Sequence, residues 1–123
     1  MWSWLRTSQK PSVEERQVPA LHFVGEQDGK AERDLKAKWI ALLSQTPDVK
    51  RAFLARAIPA GETTPTVLLC ICPQLRDPDE LVKRLAVPFR DEFGADQHLD
   101  IAFLSAAQEA DVSLVAMPFF SAT

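Results

Sequence analysis

Seven residues between two prolines restrict this chain more than any other part of it. They are Thr66-Val67-Leu68-Leu69-Cys70-Ile71-Cys72, with Pro65 before and Pro73 after. The run carries no charge and no turn former. A helix needs more length and does not stop so abruptly, so a short apolar run cut off by prolines reads as a strand. Side chains alternate along a strand, which makes both faces of this one apolar. The pattern therefore predicts an interior strand, in a sheet covered at least partly on both sides.

The flanking segments supply the rest of that sheet. Leu21-His22-Phe23-Val24 reads as a strand, and Gly25-Glu26-Gln27-Asp28-Gly29 as a turn using glycine for unusual backbone angles. Leu35, Trp39, Leu42 and Leu43 fall on one helical stripe, which predicts a helix over 31–45 ended by Thr46-Pro47. Residues 49–58 read as a strand joined by a short loop to the run at 66–72, an antiparallel hairpin. Asp77-Pro78-Asp79-Glu80 has the chemistry of a helix start. Leu81, Val82, Leu85, Phe89 and Phe93 line that helix, Pro88 is expected to kink or divide it, and Gly94 ends it. Leu99–Leu104 reads as a strand with Leu99, Ile101 and Phe103 on one face and Asp100 on the other. Ser105-Ala106-Ala107-Gln108 matches a capping box for a short last helix. Val112–Ala116 fits either a continuation of it or an edge strand.

The element order is β-α-β-β-α-β with a short C-terminal helix or extension. That is the split βαβ pattern of ferredoxin-like α+β domains. It predicts an antiparallel sheet with the strands at 21–24 and 66–72 central and both long helices on one face. Residues 1–18, with Trp2 and Trp4, are expected to be a flexible leader, and 19–123 a single domain.

Such a sheet has one face without helices. If Val67, Leu69 and Ile71 meet the helices, Leu68, Cys70 and Cys72 point away, and His22, Val24, Leu54, Arg56 and Ile58 are expected to join them. An apolar patch of that size marks an interaction site unless the chain covers it. Two covers are available. One is the chain's own ends, through Trp2, Trp4 and Leu5 or Met117, Phe119 and Phe120. The other is a second molecule, as a protein partner or by self-association.

Composition bounds the function. The chain of 123 residues has a formal net charge of −3, which argues against nucleic acid and against an anionic membrane surface. No apolar run reaches membrane-spanning length. Cys70 and Cys72, two apart on one strand, point the same way, but a disulfide between them would strain the backbone, so a reducing cytoplasm is expected. With His22 and His98 they are the whole supply of soft metal ligands, and Cys-x-Cys without a second pair is a poor zinc signature. No metal and no cofactor is expected. Reactive thiols need accessible, electropositive surroundings, and these sit in an apolar strand. No serine, histidine or carboxylate constellation suggests an enzyme, and Asp77, Asp79 and Glu80 are explained by capping. The binding candidates are His22, Gly25, Asp28, Arg56 and Cys70, on the bare sheet face or in the 25–29 turn.

The segment Ala41 to Ala55, with Thr46-Pro47-Asp48-Val49 running into Lys50-Arg51-Ala52-Phe53-Leu54, resembles the C-terminal domain of the bacterial SseB-like "enhanced serine sensitivity" proteins. Leu21 to Glu26 and Met117-Pro118-Phe119-Phe120 extend the similarity over residues 20–120. The sequence has no counterpart to the N-terminal domain of the fuller SseB-like arrangement. The resemblance implies a bacterial, cytoplasmic, non-catalytic module, since that family offers no established catalytic residue to carry over. Two functional expectations follow: an interaction or regulatory domain, or a sensor of a small metabolite such as an amino acid.

Overall fold

The computed structural model describes residues 13–16, 21–94, 97 and 99–122. In chain order the elements are β1 (Val13–Arg16), β2 (Leu21–Glu26), α1 (Lys30–Leu43), β3 (Arg51–Pro59), β4 (Thr66–Cys72), α2 (Asp79–Phe93), β5 (Leu99–Phe103), α3 (Ala106–Ser113) and β6 (Phe120–Ser121). The fold is α+β. The proline-bracketed run is the strand β4, in the middle of a sheet ordered β1-β5-β4-β3-β2, and every residue from Val67 to Cys72 is buried. Val13–Arg16 falls within the expected leader and is a strand parallel to β5. Trp2, Trp4, Leu5 and His98 lie outside the described residues.

The ferredoxin-like order is not what the strands adopt. Strand β2 sits at an edge rather than in the centre, and the sheet is mixed, because β4 and β5 run parallel while the β2–β3 and β3–β4 pairs are antiparallel. Glu26, the last residue of β2, lies opposite Ala55, so β3 begins at the end of the sheet where β2 stops. A strand that starts there runs back antiparallel and pairs directly beside β2. The parallel β4–β5 pair instead uses α2 as its crossover, as parallel neighbours require.

Each sheet face has its own core. Val67, Leu69 and Ile71 meet Leu35, Trp39 and Leu43 of α1 and Leu81, Leu85 and Phe89 of α2, with Leu99, Ile101 and Phe103 of β5. Trp39 is fully buried and its Nε1–H donates to the Leu85 carbonyl at 2.9 Å, which joins the two helices. On the opposite face Leu68, Cys70 and Cys72 pack with Phe23, Phe53, Ala55, Ala57, Ala102 and Leu104, under Val112 of α3 and Ala116. The face expected to be bare therefore carries α3. Its β3 members are Phe53, Ala55 and Ala57, not Leu54, Arg56 and Ile58. Register decides this: Phe53 lies opposite Cys70 and Ala55 opposite Leu68, and directly opposed residues share a face. On β2 the same register selects Phe23, opposite Ala57, rather than His22 and Val24.

The C-terminal segment does not cover this second face. Phe119 and Phe120 pack on the α1/α2 core, Phe119 with its ring centroid 6.0 Å from that of Trp39. The Phe119 N–H donates to the Ala52 carbonyl at 2.9 Å, and β6 pairs with Arg51 and Ala52, the part of β3 that β2 leaves free.

Local chemistry places the helices with two departures from expectation. Helix α2 starts at Asp79 with Pro78 as its N-cap and no side-chain cap bond, so Asp77 is not the cap. It is also undivided at Pro88; proline removes one N–H there, and the burial of Pro88 with Leu85, Ala86 and Phe89 on the inner side of α2 keeps the helix continuous. Gly94, at φ 102°, ends it. Helix α3 has the full capping box: Ser105 Oγ accepts from the Gln108 N–H, and Gln108 Oε1 accepts from the Ser105 N–H. It stops at Ser113, with Leu114 as C-cap.

Candidate functional site

The five binding candidates do not converge. Cys70 is fully buried between Phe53 and α3's side of the sheet, on β4. His22 is exposed on the edge strand, opposite Ile58. Gly25 and Arg56 do come together. They are register partners, and a Cβ at Gly25 would lie 2.9 Å from Arg56 Nη2, so the guanidinium crosses the space a side chain would fill.

Asp28 belongs to a network around α1. Lys36 Nζ lies 3.2 Å from Asp28 Oδ1 and 3.4 Å from Glu26 Oε2, and Arg33 Nη1 lies 3.3 Å from Asp28 Oδ2. The hydrogen bond from Lys36 is the largest influence holding the Asp28 carboxyl below its ordinary value. Gln27 Nε2 donates to Glu32 Oε2 at 2.7 Å, and Glu32 is buried. Neither glycine of the turn is in the left-handed region, and Gly29 at φ 171° has extended backbone that any residue adopts. Gly29 serves by leaving room, since a Cβ there would sit 2.5 Å from Glu32 Oε1. The charges and amide of residues 26–36 thus face one another, which leaves the turn a structural clasp between β2 and α1.

The thiols are equally committed to structure. Cys70 and Cys72 are free and buried. Burial pushes the Cys72 thiol up to about 12, with the nearby Glu109 carboxylate adding to the rise and Arg51 opposing it. Burial first, and neighbouring Cys72 second, push Cys70 up as well. A neutral, enclosed thiol is a poor nucleophile and a poor metal ligand. Among the described residues no group of three or more His, Cys, Asp or Glu is placed to hold a metal ion. Among the same residues no helix is long and apolar enough to cross a membrane. Beside Cys72, Arg51 Nε donates to Glu109 Oε2 and ties the start of β3 to α3.

The unexpected feature lies just beyond α3. Leu114 is 84% exposed, Met117 73% and Val115 40%, while Ala116 between them is buried in the second core. The segment is held in place. The Val115 and Ala116 N–H groups both donate to the Val112 carbonyl, and the Met117 N–H donates to Glu26 Oε1 at 3.1 Å. The outcome is a fixed apolar ridge beside the end of β2. No lysine or arginine follows Arg90 in the sequence, and the cation brought toward the ridge by the fold is Lys36, whose Nζ lies 3.4 Å from Glu26 Oε2. The sequence signal was the charge-free run Ser113 to Phe120, which fits a helix end, a strand or a tail equally well until its neighbours are known.

Comparison with protein-family models, with curated proteins and with solved structures finds no match to this chain.

Proposed function

We propose that this chain is a non-catalytic interaction domain that engages a protein partner through the ridge of Leu114, Val115 and Met117. One observation carries the reading: three large apolar side chains stand in solvent on a segment whose backbone is already pinned to α3 and to Glu26. A single exposed leucine is ordinary, but a contiguous, ordered apolar patch is the usual mark of a contact surface. Prior ordering also lowers the entropy lost on binding, so more of the contact energy appears as affinity. The sheet face first considered for this role is closed within the chain, with Cys70 and Cys72 fully buried.

The likeness of residues 41–55 to SseB-like C-terminal domains supports the same reading, as a bacterial domain without catalytic residues. Two buried free thiols suit a reducing cytoplasm.

Photo-crosslinking tests the proposal. A benzophenone side chain placed at Leu114 is expected to give discrete protein adducts in cells of the source organism, and the same group at exposed Ala60 none. Equal labelling from both positions, or none from Leu114, refutes it.

A further inference from the structure

We propose that the Asp28–Gly29 peptide is a modification site, where the chain isomerises spontaneously to isoaspartate at a rate that Lys36 and Arg33 restrain. The inference is independent of the Leu114 ridge.

The sequence offers one favoured place for this chemistry. It has no asparagine, and Asp28 is the one aspartate followed by glycine. The reaction joins the backbone nitrogen of the following residue to the side-chain carboxyl carbon of the aspartate. A side chain on that following residue crowds the approach, and glycine has none. The other aspartates precede leucine, isoleucine, valine, glutamate, glutamine or proline.

The fold brings the reactants together and leaves them open to water. Asp28 and Gly29 lie after the end of β2 and before the start of α1, outside both elements. The Asp28 side chain is nearly half exposed. Its carboxylate accepts a hydrogen bond from the Gly29 N–H, so the attacking nitrogen and the group it attacks are already neighbours. Ring closure forms a bond from the Gly29 nitrogen to Asp28 Cγ. One carboxyl oxygen leaves as water, with the amide proton and the carboxyl proton. Water then opens the five-membered imide. Cleavage at Cγ restores aspartate, and cleavage at the main-chain carbonyl carbon of Asp28 leaves isoaspartate. One water is lost and one regained, and nothing is oxidised or reduced.

The same turn holds the reaction back. The departing oxygen leaves from the neutral carboxyl, and each carboxylate oxygen has a cation of its own. Lys36 Nζ lies 3.2 Å from Oδ1, and Arg33 Nη1 lies 3.3 Å from Oδ2. Opposite charges at that range favour the ionised form and fix its position. Both cations stand on α1, so the folded helix sets the restraint. Isoaspartate adds Cβ to the main chain and puts the free carboxylate directly on Cα. The link from β2 to α1 then lengthens, and the pairing with Lys36 and Arg33 is lost.

Incubation of the purified chain for weeks at neutral pH and physiological temperature tests the proposal. Isoaspartate is counted with an isoaspartate-specific carboxyl methyltransferase and labelled S-adenosylmethionine, and is located by peptide mass spectrometry. Label should accumulate in the peptide that contains Asp28, ahead of every other aspartate. Lys36→Met and Arg33→Gln should each raise its rate at least twofold, and unfolding in urea should raise it further. Asp28→Glu keeps a carboxylate for the two cations but forms no five-membered ring, so it should remove this label. Circular dichroism checks that the variants are folded, and Arg33, exposed on α1, gives the milder change. The isomerised fraction should unfold at a lower temperature than the fresh chain. No label at Asp28 in any folded chain, or equal label at the other aspartates, overturns the site. Label at Asp28 that forms at one rate in the wild type and in both variants overturns the restraint.

Discussion

Arg51 at the start of β3 and Glu109 on α3 form an ion pair beside the buried Cys72 thiol. It ties α3 to the first residue of β3 and helps to set where the short helix sits over the second core. The Glu109 side chain is mostly enclosed while that of Arg51 is nearly half exposed, so the pair is partly screened by water. A double-mutant cycle with Arg51→Met and Glu109→Gln should give a coupling of about 1 kcal/mol in urea unfolding, at the upper end for partly exposed pairs. A coupling near zero would mean that Val112 and Ala116 alone hold α3.

The thiols make stability depend on alkaline pH. Both are raised from an ordinary value of 9.0, Cys72 to about 12. Between those values the folded chain keeps protons that the unfolded chain has released, so the unfolded state binds fewer protons and stability falls as pH rises. The contribution is complete below about pH 9 and is lost progressively above it, by at most roughly 1.4 kcal/mol per pH unit for each thiol. Urea unfolding across that range should show the decline, and Cys70→Ala should remove about half of the slope. An unchanged slope in the variant would place the alkaline sensitivity elsewhere.

Lys36 controls the charge network at the head of α1. Its ammonium lies within reach of both Glu26 and Asp28, and it holds the Asp28 carboxyl low. In Lys36→Met the titration of Asp28, followed by NMR, should move up toward the ordinary carboxylate range. In the wild type the depressed carboxyl favours the folded state above its unfolded value, and this is lost as pH falls through the folded value. The acid limb of stability should therefore flatten in the variant. Because the Asp28 side chain is nearly half exposed, the change in stability at neutral pH is expected to stay small.

Two glycines should respond unequally to the same substitution. Gly61, in the loop between β3 and β4, has φ 85° and open space where a Cβ would go. Gly61→Ala should cost about 1 kcal/mol through backbone strain alone. Gly25 has no positive φ, and its Cβ would meet only the end of the Arg56 side chain. That end can swing aside, so Gly25→Ala should cost less than Gly61→Ala. Thermal unfolding of the two variants compares them directly, and the reverse order would contradict the account of both turns.

Much of the local structure was legible because it is written in neighbouring residues. Pro65 and Pro73 fix the limits of β4, the stripe of Leu35, Trp39 and Leu43 fixes the buried side of α1, and Ser105 with Gln108 fixes the start of α3. The alternation of Leu99, Ile101 and Phe103 against Asp100 was legible for the same reason, and it divides β5 between the two cores. The candidate site was legible only in fragments. Gly25 and Arg56 meet, but Cys70 lies in the core beneath α3, and Asp28 is paired with Lys36 and Arg33.

The sequence by itself determined that residues 66–72 form an interior strand greasy on both sides, and that helices pack on one of those sides. Periodicity and proline act over a few residues, so no partner is needed to read them. Which strand lies next to which, and which alternate set of β3 faces α3, only the tertiary structure decided. In β3 both alternate sets contain apolar residues, Phe53 with Ala55 and Ala52 with Leu54, so pattern alone is degenerate and the register against β4 makes the choice. The same holds for Leu114 and Met117: an apolar side chain becomes a contact surface only once the rest of the fold has left it outside.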